Sequence, residues 1–253
     1  MSETKTLLRD DERKDKVNEK ITLLQKKDGL TFGTDAFLLA AYTEQRRSGV
    51  AAELGAGTGI ISLLCAARDR FSRIYAFEIQ EDFAELAERN VIENKLEDKI
   101  TVICKDVRDC SAADTGREVD AVFANPPYMR TDSGKRNDSD RKYIARHEVC
   151  GDIGDFCRAA FKMLKHGGRF YCVWRPDRLT DLICAMRANR LEPKKMTFVC
   201  ADSKSEPSMV LVSATKGGAS GMRVTAPLLL YKDGTREMSE AAEKIYDTMS
   251  FEI

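Results

Sequence analysis

Apolar positions along the chain fall into two spacings, and the switches between them predict the elements. Val50–Leu54 is a short continuous apolar run, and a glycine-rich turn separates it from a helical pattern running from about Thr58 to Ala67. Arg73–Glu78 reads as a second strand. Gln80–Glu93 reads as a second helix, with Phe83, Leu86, Ala87 and Val91 three or four apart. Ile100–Cys104 and Val119–Ala124 are further strands. After a polar stretch, a helix at Phe156–Lys165, a strand at Arg169–Trp174 and a helix at Asp177–Asn189 follow. Two more strands, Lys194–Cys200 and Met209–Thr215, are separated only by ADSKSEPS, so they should pair antiparallel. Ahead of the sheet, Asp35–Glu44 reads as a short helix capped by Thr34 or Asp35. Strands alternating with helices predict an α/β fold: about seven strands, mostly parallel, with helices on both faces. The expected organisation is one domain over residues 31–253, with a charged N-terminal arm at residues 1–30.

Composition bounds the class. The chain has 253 residues with 41 basic and 41 acidic side chains, and its longest apolar run, Ala36 to Tyr42, is too short to cross a bilayer. The first twenty residues mix six basic and six acidic side chains, which excludes a secretory signal, so the cytoplasm is the expected compartment. Eight cysteines include no CxxC, and although His147 lies three residues before Cys150, neither it nor His166 joins cysteines at the spacing of a zinc-ligand set. No metal site is expected from that spacing. Cys65 and Cys172 sit in apolar runs, where a reduced cysteine behaves as a small buried hydrophobe.

Candidate chemistry begins at the turn Glu53-Leu-Gly-Ala-Gly-Thr-Gly59. Glycines at 55, 57 and 59 let a ligand approach the backbone closely. The GxGxG spacing differs from the GxGxxG that cradles a pyrophosphate, which fits a nucleoside without phosphates. Glu78, at the end of the second strand of the sheet, is placed to accept hydrogen bonds from both ribose hydroxyls. Asp106, just past the third, is placed to bind an adenine amino group. Turn, Glu78 and Asp106 together resemble the S-adenosylmethionine site of the Rossmann-like, seven-stranded class I methyltransferases.

Asn125-Pro126-Pro127-Tyr128 follows the fourth strand, at the edge of the sheet where such folds bind ligands. An exocyclic amine is a poor nucleophile because its lone pair is delocalised into the ring. The Asn125 side-chain oxygen and the Pro126 main-chain oxygen can accept its two N–H groups and pull the nitrogen towards tetrahedral geometry. The prolines hold the backbone extended, and Tyr128 can stack on the base. This is catalysis by alignment and electrostatics.

NPPY resembles the motif of methyltransferases acting on adenine N6, guanine N2 or protein glutamine. Further segments resemble the bacterial tRNA1(Val) (adenine-37-N6)-methyltransferase family: Gly29 to Ala40, the glycine turn, Ala145 to Glu148, Pro227 to Tyr231, Asp233-Gly234 and Ile245-Tyr246. The resemblance spans about residues 12–247. It implies S-adenosylmethionine as cofactor, no metal, an adenine of tRNA as substrate, and Thr34 and Asp35 as contacts of the methionine moiety. With these, the cofactor-binding set is Thr34, Asp35, Glu53, Gly55, Gly57, Gly59, Glu78, Asp106 and Asn125.

Charge is distributed unevenly. Residues 1–128 carry a net charge of −5 and residues 129–253 a net charge of +5. Arg130, Lys135, Arg136, Arg141, Lys142 and Arg146 lie directly beyond NPPY and could hold phosphates while the target base is flipped towards Tyr128. Two other readings stay open: a protein glutamine methyltransferase, and an RNA-binding protein that holds the cofactor without turnover. The first would ordinarily carry a helical N-terminal domain, for which only about 30 residues precede the Asp35 helix.

Overall fold

A computed structural model describes residues 8–27, 33–127 and 151–251. Its core is a sheet of seven long strands: β3 (Arg46–Leu54), β4 (Phe71–Glu78), β5 (Ile100–Cys104), β6 (Val119–Ala124), β7 (Leu164–Trp174), β8 (Leu191–Cys200) and β9 (Pro207–Lys216). Their order is β8-β9-β7-β6-β3-β4-β5. The strands from β3 to β7 run parallel, whereas β9 is antiparallel to both of its neighbours. Only six residues separate β8 from β9, too few to cross the sheet, so the chain returns antiparallel. Two short strands, β10 (Arg223–Val224) and β11 (Leu228–Leu229), add to the outer edge of β8.

Both faces of the sheet are covered, and this explains why β3 and β6 read as continuous apolar runs rather than alternating ones. Ala51, Ala121 and Phe123 face one core, shared with α1 (Thr34–Tyr42), α2 (Ile60–Ala66) and Val91 of α3 (Glu81–Glu93). Ala52, Leu54, Val122 and Ala124 face the other, shared with α4 (Ile153–Met163) and α5 (Leu179–Ala188). Cys65 and Cys172 are fully buried, one in each core.

Three local features differ from the sequence reading or go beyond it. The N-cap of α1 is Gly33 and makes no side-chain cap bond; Thr34 and Asp35 are already helical. Expecting Thr34 or Asp35 as the cap was therefore incorrect: the backbone passes from extended to helical at Gly33, so both residues lie inside the helix and neither occupies the cap position.

The all-charged run from Asp10 to Lys16 forms a hairpin, β1 (Glu12–Lys16) with β2 (Thr22–Lys26), which lies against α3. Arg9, Glu12 and Lys14 meet Glu85, Arg89 and Glu93, a stripe of α3 residues at i, i+4 and i+8. Finally, the tail ends in a helix, α6 (Glu240–Thr248), capped by the Ser239 hydroxyl, which accepts from the Ala242 N–H at 3.1 Å. Tyr246 of α6 stacks on Phe37 of α1 at 4.2 Å and 9°, covering a helix whose residues from Ala36 to Tyr42 are all buried.

Candidate active site

The strand order reverses at β3. β4 and β5 lie on one side of it and β6 and β7 on the other, and such switch points open a crevice at the carboxyl ends of the strands. Leu54 is in register with Phe77 and Ala124, and Glu78 with Cys104. The residues immediately beyond these ends are therefore brought to one edge: the glycine turn after β3, Glu78 at the end of β4, Asp106 after β5 and Asn125 after β6.

The turn is tightly tied down. Gly55 and Ala56 both donate their backbone N–H to the Phe77 carbonyl at 2.9 Å. Gly55, Gly57 and Gly59 adopt φ values of +72°, +55° and +79°, a region that side chains rarely tolerate. A Cβ built at Gly57 would meet nothing within 4 Å, so the outer surface of the turn is clear for a ligand. The Gly57 N–H donates to one oxygen of Glu78 at 2.8 Å, and Gln80 N–H donates to the other at 2.9 Å. Each carboxylate oxygen can accept a second hydrogen bond, which leaves Glu78 capacity for two vicinal hydroxyls. These features fit a nucleoside cofactor without a phosphate group.

Glu53 lies beneath the turn. Its carboxyl accepts from the Ser62 N–H at 3.0 Å and from the Ser62 hydroxyl, and so satisfies the start of α2, where Gly59 has no side chain to do so. Burial pushes this carboxyl up to about 8, with the Ser62 hydrogen bonds opposing and the nearby Glu78 charge adding to the rise.

Asp106 accepts from the Arg108 backbone N–H at 2.8 Å and from its guanidinium at 2.9 Å. The side-chain hydrogen bond from Arg108 holds this carboxyl below its ordinary range. A ligand amine would share or displace Arg108, a half-exposed side chain, and exposed pairs of this kind contribute little.

Asn125 is half-buried, and its amide Nδ2 donates to Asp35 Oδ2 at 2.8 Å. Thr34 sits beside Tyr246 and Tyr231 around a cavity of about 150 Å³. Thr34 and Asp35 thus point at different partners, one towards the tail helix and the other towards the end of β6. Pro126 and Pro127 continue from Asn125. Tyr128, Arg130, Lys135, Arg136, Arg141, Lys142 and Arg146 lie outside the described residues.

One residue with a direct bearing on the turn has no motif. Asn90 of α3 is fully buried, and its Nδ2 donates to the Thr58 carbonyl at 3.0 Å and to the Leu24 carbonyl at 3.1 Å. Its Oδ1 accepts from Leu24 N–H at 2.6 Å, so one side chain joins the hairpin, α3 and the glycine turn. The available signal was a pair of asparagines, Asn90 and Asn94, one helical turn apart, a residue type disfavoured inside helices unless it has a partner. A larger cleft, about 610 Å³, lies between Thr43–Gln45, Arg70 and Phe251. It borders the amino ends of β3 and β4, the wrong edge for ligand binding in an open α/β sheet.

Residues 26–183 match the family described as methyltransferase small domain. A Phocaeicola vulgatus protein named tRNA1(Val) (adenine(37)-N6)-methyltransferase is 30% identical over 195 residues, covering 77% of this chain and 81% of that one. A Bacteroides fragilis protein of the same name is 29% identical over 197 residues, covering 78% and 82%. Among solved structures, the crystal structure of a predicted O-methyltransferase, protein Atu636 from Agrobacterium tumefaciens, aligns with a TM-score of 0.69 at 23% identity. That alignment covers 86% of this chain and 97% of the other, a likeness of fold. With the glycine turn, the paired acids and Asn125 at one edge of a Rossmann-like sheet, the chain belongs to the methyltransferase small domain family, within it to the tRNA1(Val) (adenine(37)-N6)-methyltransferases, and is an S-adenosylmethionine-dependent methyltransferase.

Proposed function

We propose that the enzyme methylates the exocyclic N6 amine of an adenine in tRNA, at position 37 beside the anticodon, in the cytoplasm. The observation that carries this reading is Asn125 at the carboxyl end of β6, held through its NH2 end by Asp35 on the same sheet edge as the glycine turn. The names of the relatives support the same substrate.

In this reading Gly55, Gly57 and Gly59 make room for the cofactor, and Glu78 accepts its ribose hydroxyls. Asp106 takes the adenine amine, Thr34, Asp35 and Asn125 border the methionine end, and Glu53 supports the turn from beneath. When bound, S-adenosylmethionine supplies an electrophilic methyl group on a cationic sulfur.

The Asn125 amide oxygen and the Pro126 carbonyl accept the two N–H groups of the target amine and turn its lone pair towards that carbon, while Pro127 keeps the segment extended. Tyr128 stacks on the flipped base. With the cofactor bound, the aligned lone pair would take the cofactor's methyl group as the C–S electron pair stays with sulfur, and the methylated nitrogen would release one proton to solvent. No covalent enzyme intermediate or strong base is required. Arg130, Lys135, Arg136, Arg141, Lys142 and Arg146 supply the phosphate contacts.

The test is incubation with methyl-labelled cofactor and, separately, bulk tRNA, rRNA or ribosomal protein, followed by digestion and identification of the product. The expected product is N6-methyladenosine from tRNA. Label in methylglutamine would overturn the substrate, and no label under any condition would leave only binding.

A further inference from the structure

We infer that Asp35 is a positioning residue for catalysis: its carboxylate holds the NH2 end of Asn125, so that the amide oxygen is the end presented to the target amine. The inference rests on the reading of Asn125 as an acceptor for that amine. It differs from a role for Asp35 as a contact of the cofactor alone.

An amide side chain carries one acceptor end and one donor end. Its two ends are nearly equal in size, and rotation by half a turn exchanges an acceptor for a donor. An amine offering two N–H groups needs the acceptor, and the flipped amide would oppose donor to donor. Something must therefore fix the rotamer. An ionised carboxylate has only acceptor oxygens, so at 2.8 Å from Asn125 it can face nothing but the NH2 end.

The Asp35 carboxylate is itself held in place. It lies in the first turn of α1, where free backbone N–H groups and the helix dipole favour a negative charge. Gly33 opens the space it occupies, because a Cβ at that position would lie 2.6 Å from Asp35 Oδ1. Behind it, α1 is buried from Ala36 to Tyr42 and covered by the Phe37–Tyr246 stack. Asn125 in turn follows directly from the fully buried strand β6. Two rigid elements, 90 residues apart in sequence, are therefore joined by this hydrogen bond at the proposed reacting end of the site.

The test is a double-mutant cycle on the full chain. Asp35→Ala, Asn125→Ala and the double variant are compared by single-turnover methylation of tRNA with labelled cofactor. Affinity for S-adenosylhomocysteine is measured in parallel by calorimetry. Asp35→Ala should slow methyl transfer by roughly 10- to 100-fold, as misplacement of an aligning group does. Its S-adenosylhomocysteine affinity should stay within about threefold, and in the Asn125→Ala background it should slow transfer by no more than about twofold further. Gly33→Ala keeps the carboxylate but displaces it, and should slow transfer with cofactor affinity again preserved, which tests the idea should Asp35→Ala not fold.

The same loss from Asp35→Ala in both backgrounds, or cofactor affinity falling in step with rate, would overturn the inference and leave Asp35 as a cofactor contact. A wild-type rate in Asn125→Ala would remove the acceptor reading itself, and this inference with it.

Discussion

Glu53 is a carboxyl that the fold buries to 1% exposure and bonds to Ser62, and its protonation is coupled to folding. Its folded value of about 8 lies above the ordinary 4.5, so between those limits the folded protein holds a proton that the unfolded chain releases. That contribution to stability is complete below about pH 4.5 and is lost as pH rises towards 8, at up to about 1.4 kcal/mol per pH unit. Glu53→Gln has no proton to release, so its melting temperature should fall less than that of the wild type between pH 5 and 8. Parallel curves would mean that Glu53 does not titrate there. Asp106 is the opposite case, an accessible carboxylate already engaged by Arg108. Arg108→Ala should change S-adenosylhomocysteine affinity by less than about fivefold, because an exposed pair contributes at most about 1 kcal/mol. A larger change would make Arg108 part of the cofactor site.

At the scale of elements, the hairpin and α3 form one unit with the glycine turn. Asn90 bonds Leu24 and Thr58, and Asn94 accepts from Thr22 N–H at 2.9 Å and donates to its carbonyl at 2.7 Å. Asn90→Ala would strand buried backbone groups and should destabilise the protein by about 2 kcal/mol. It should also weaken cofactor binding, because Thr58 lies within the turn. Unchanged cofactor affinity in a folded Asn90→Ala protein would separate the hairpin from the site. Glu12 adds a pH signature of opposite sign to that of Glu53. The Arg89 hydrogen bonds hold it down to about 2, so its contribution is present above about pH 4.5 and lost as pH falls towards 2. Acid should therefore release the hairpin, visible as lower protection factors at Thr22–Lys26, after the intrinsic pH dependence of amide exchange is divided out, in the wild type at pH 3 than at pH 6. β2 and the residue before it carry an apolar signal, with Ile21, Leu23 and Leu24 buried, but β1 gave none in apolar periodicity, because it is held by charge. Its partners Glu85, Arg89 and Glu93 sit more than 70 residues away. The parallel strands were legible for the converse reason: β5 and β6 run over the same residues that their apolar runs predicted, every position of β6 being buried, while the edge strand β5 buries only Ile100 and half-buries the next three.

Across the whole molecule, the equal totals of 41 basic and 41 acidic residues conceal the polarity between the chain's two parts. The first part, net −5, supplies the turn, Glu78, Asp106 and Asn125; the second, net +5, begins at the proposed phosphate contacts. With zero net charge the protein should bind non-specific RNA modestly and in a salt-sensitive way. Neutralising Arg136, Arg141 and Lys142 together should reduce the slope of log affinity against log salt by about 2. An unchanged slope would leave those residues as a solvated surface. Among the described residues no helix is long and apolar enough to cross a membrane.

By itself the sequence determined the kind of sheet, and it located the glycine turn and the NPPY motif, the proposed places of the cofactor and the target amine. Each of those depends on residues close together in the chain: apolar runs buried on both faces, glycines with positive φ, and prolines that restrict their neighbours. Only the tertiary structure decided which side chains meet across it. Asp35 with Asn125, Asn90 with Thr58, and Glu12 with Arg89 are pairs 90, 32 and 77 residues apart. Local propensity carries no information about such pairs, because a polar side chain acquires its partner only when packing has brought two distant elements together.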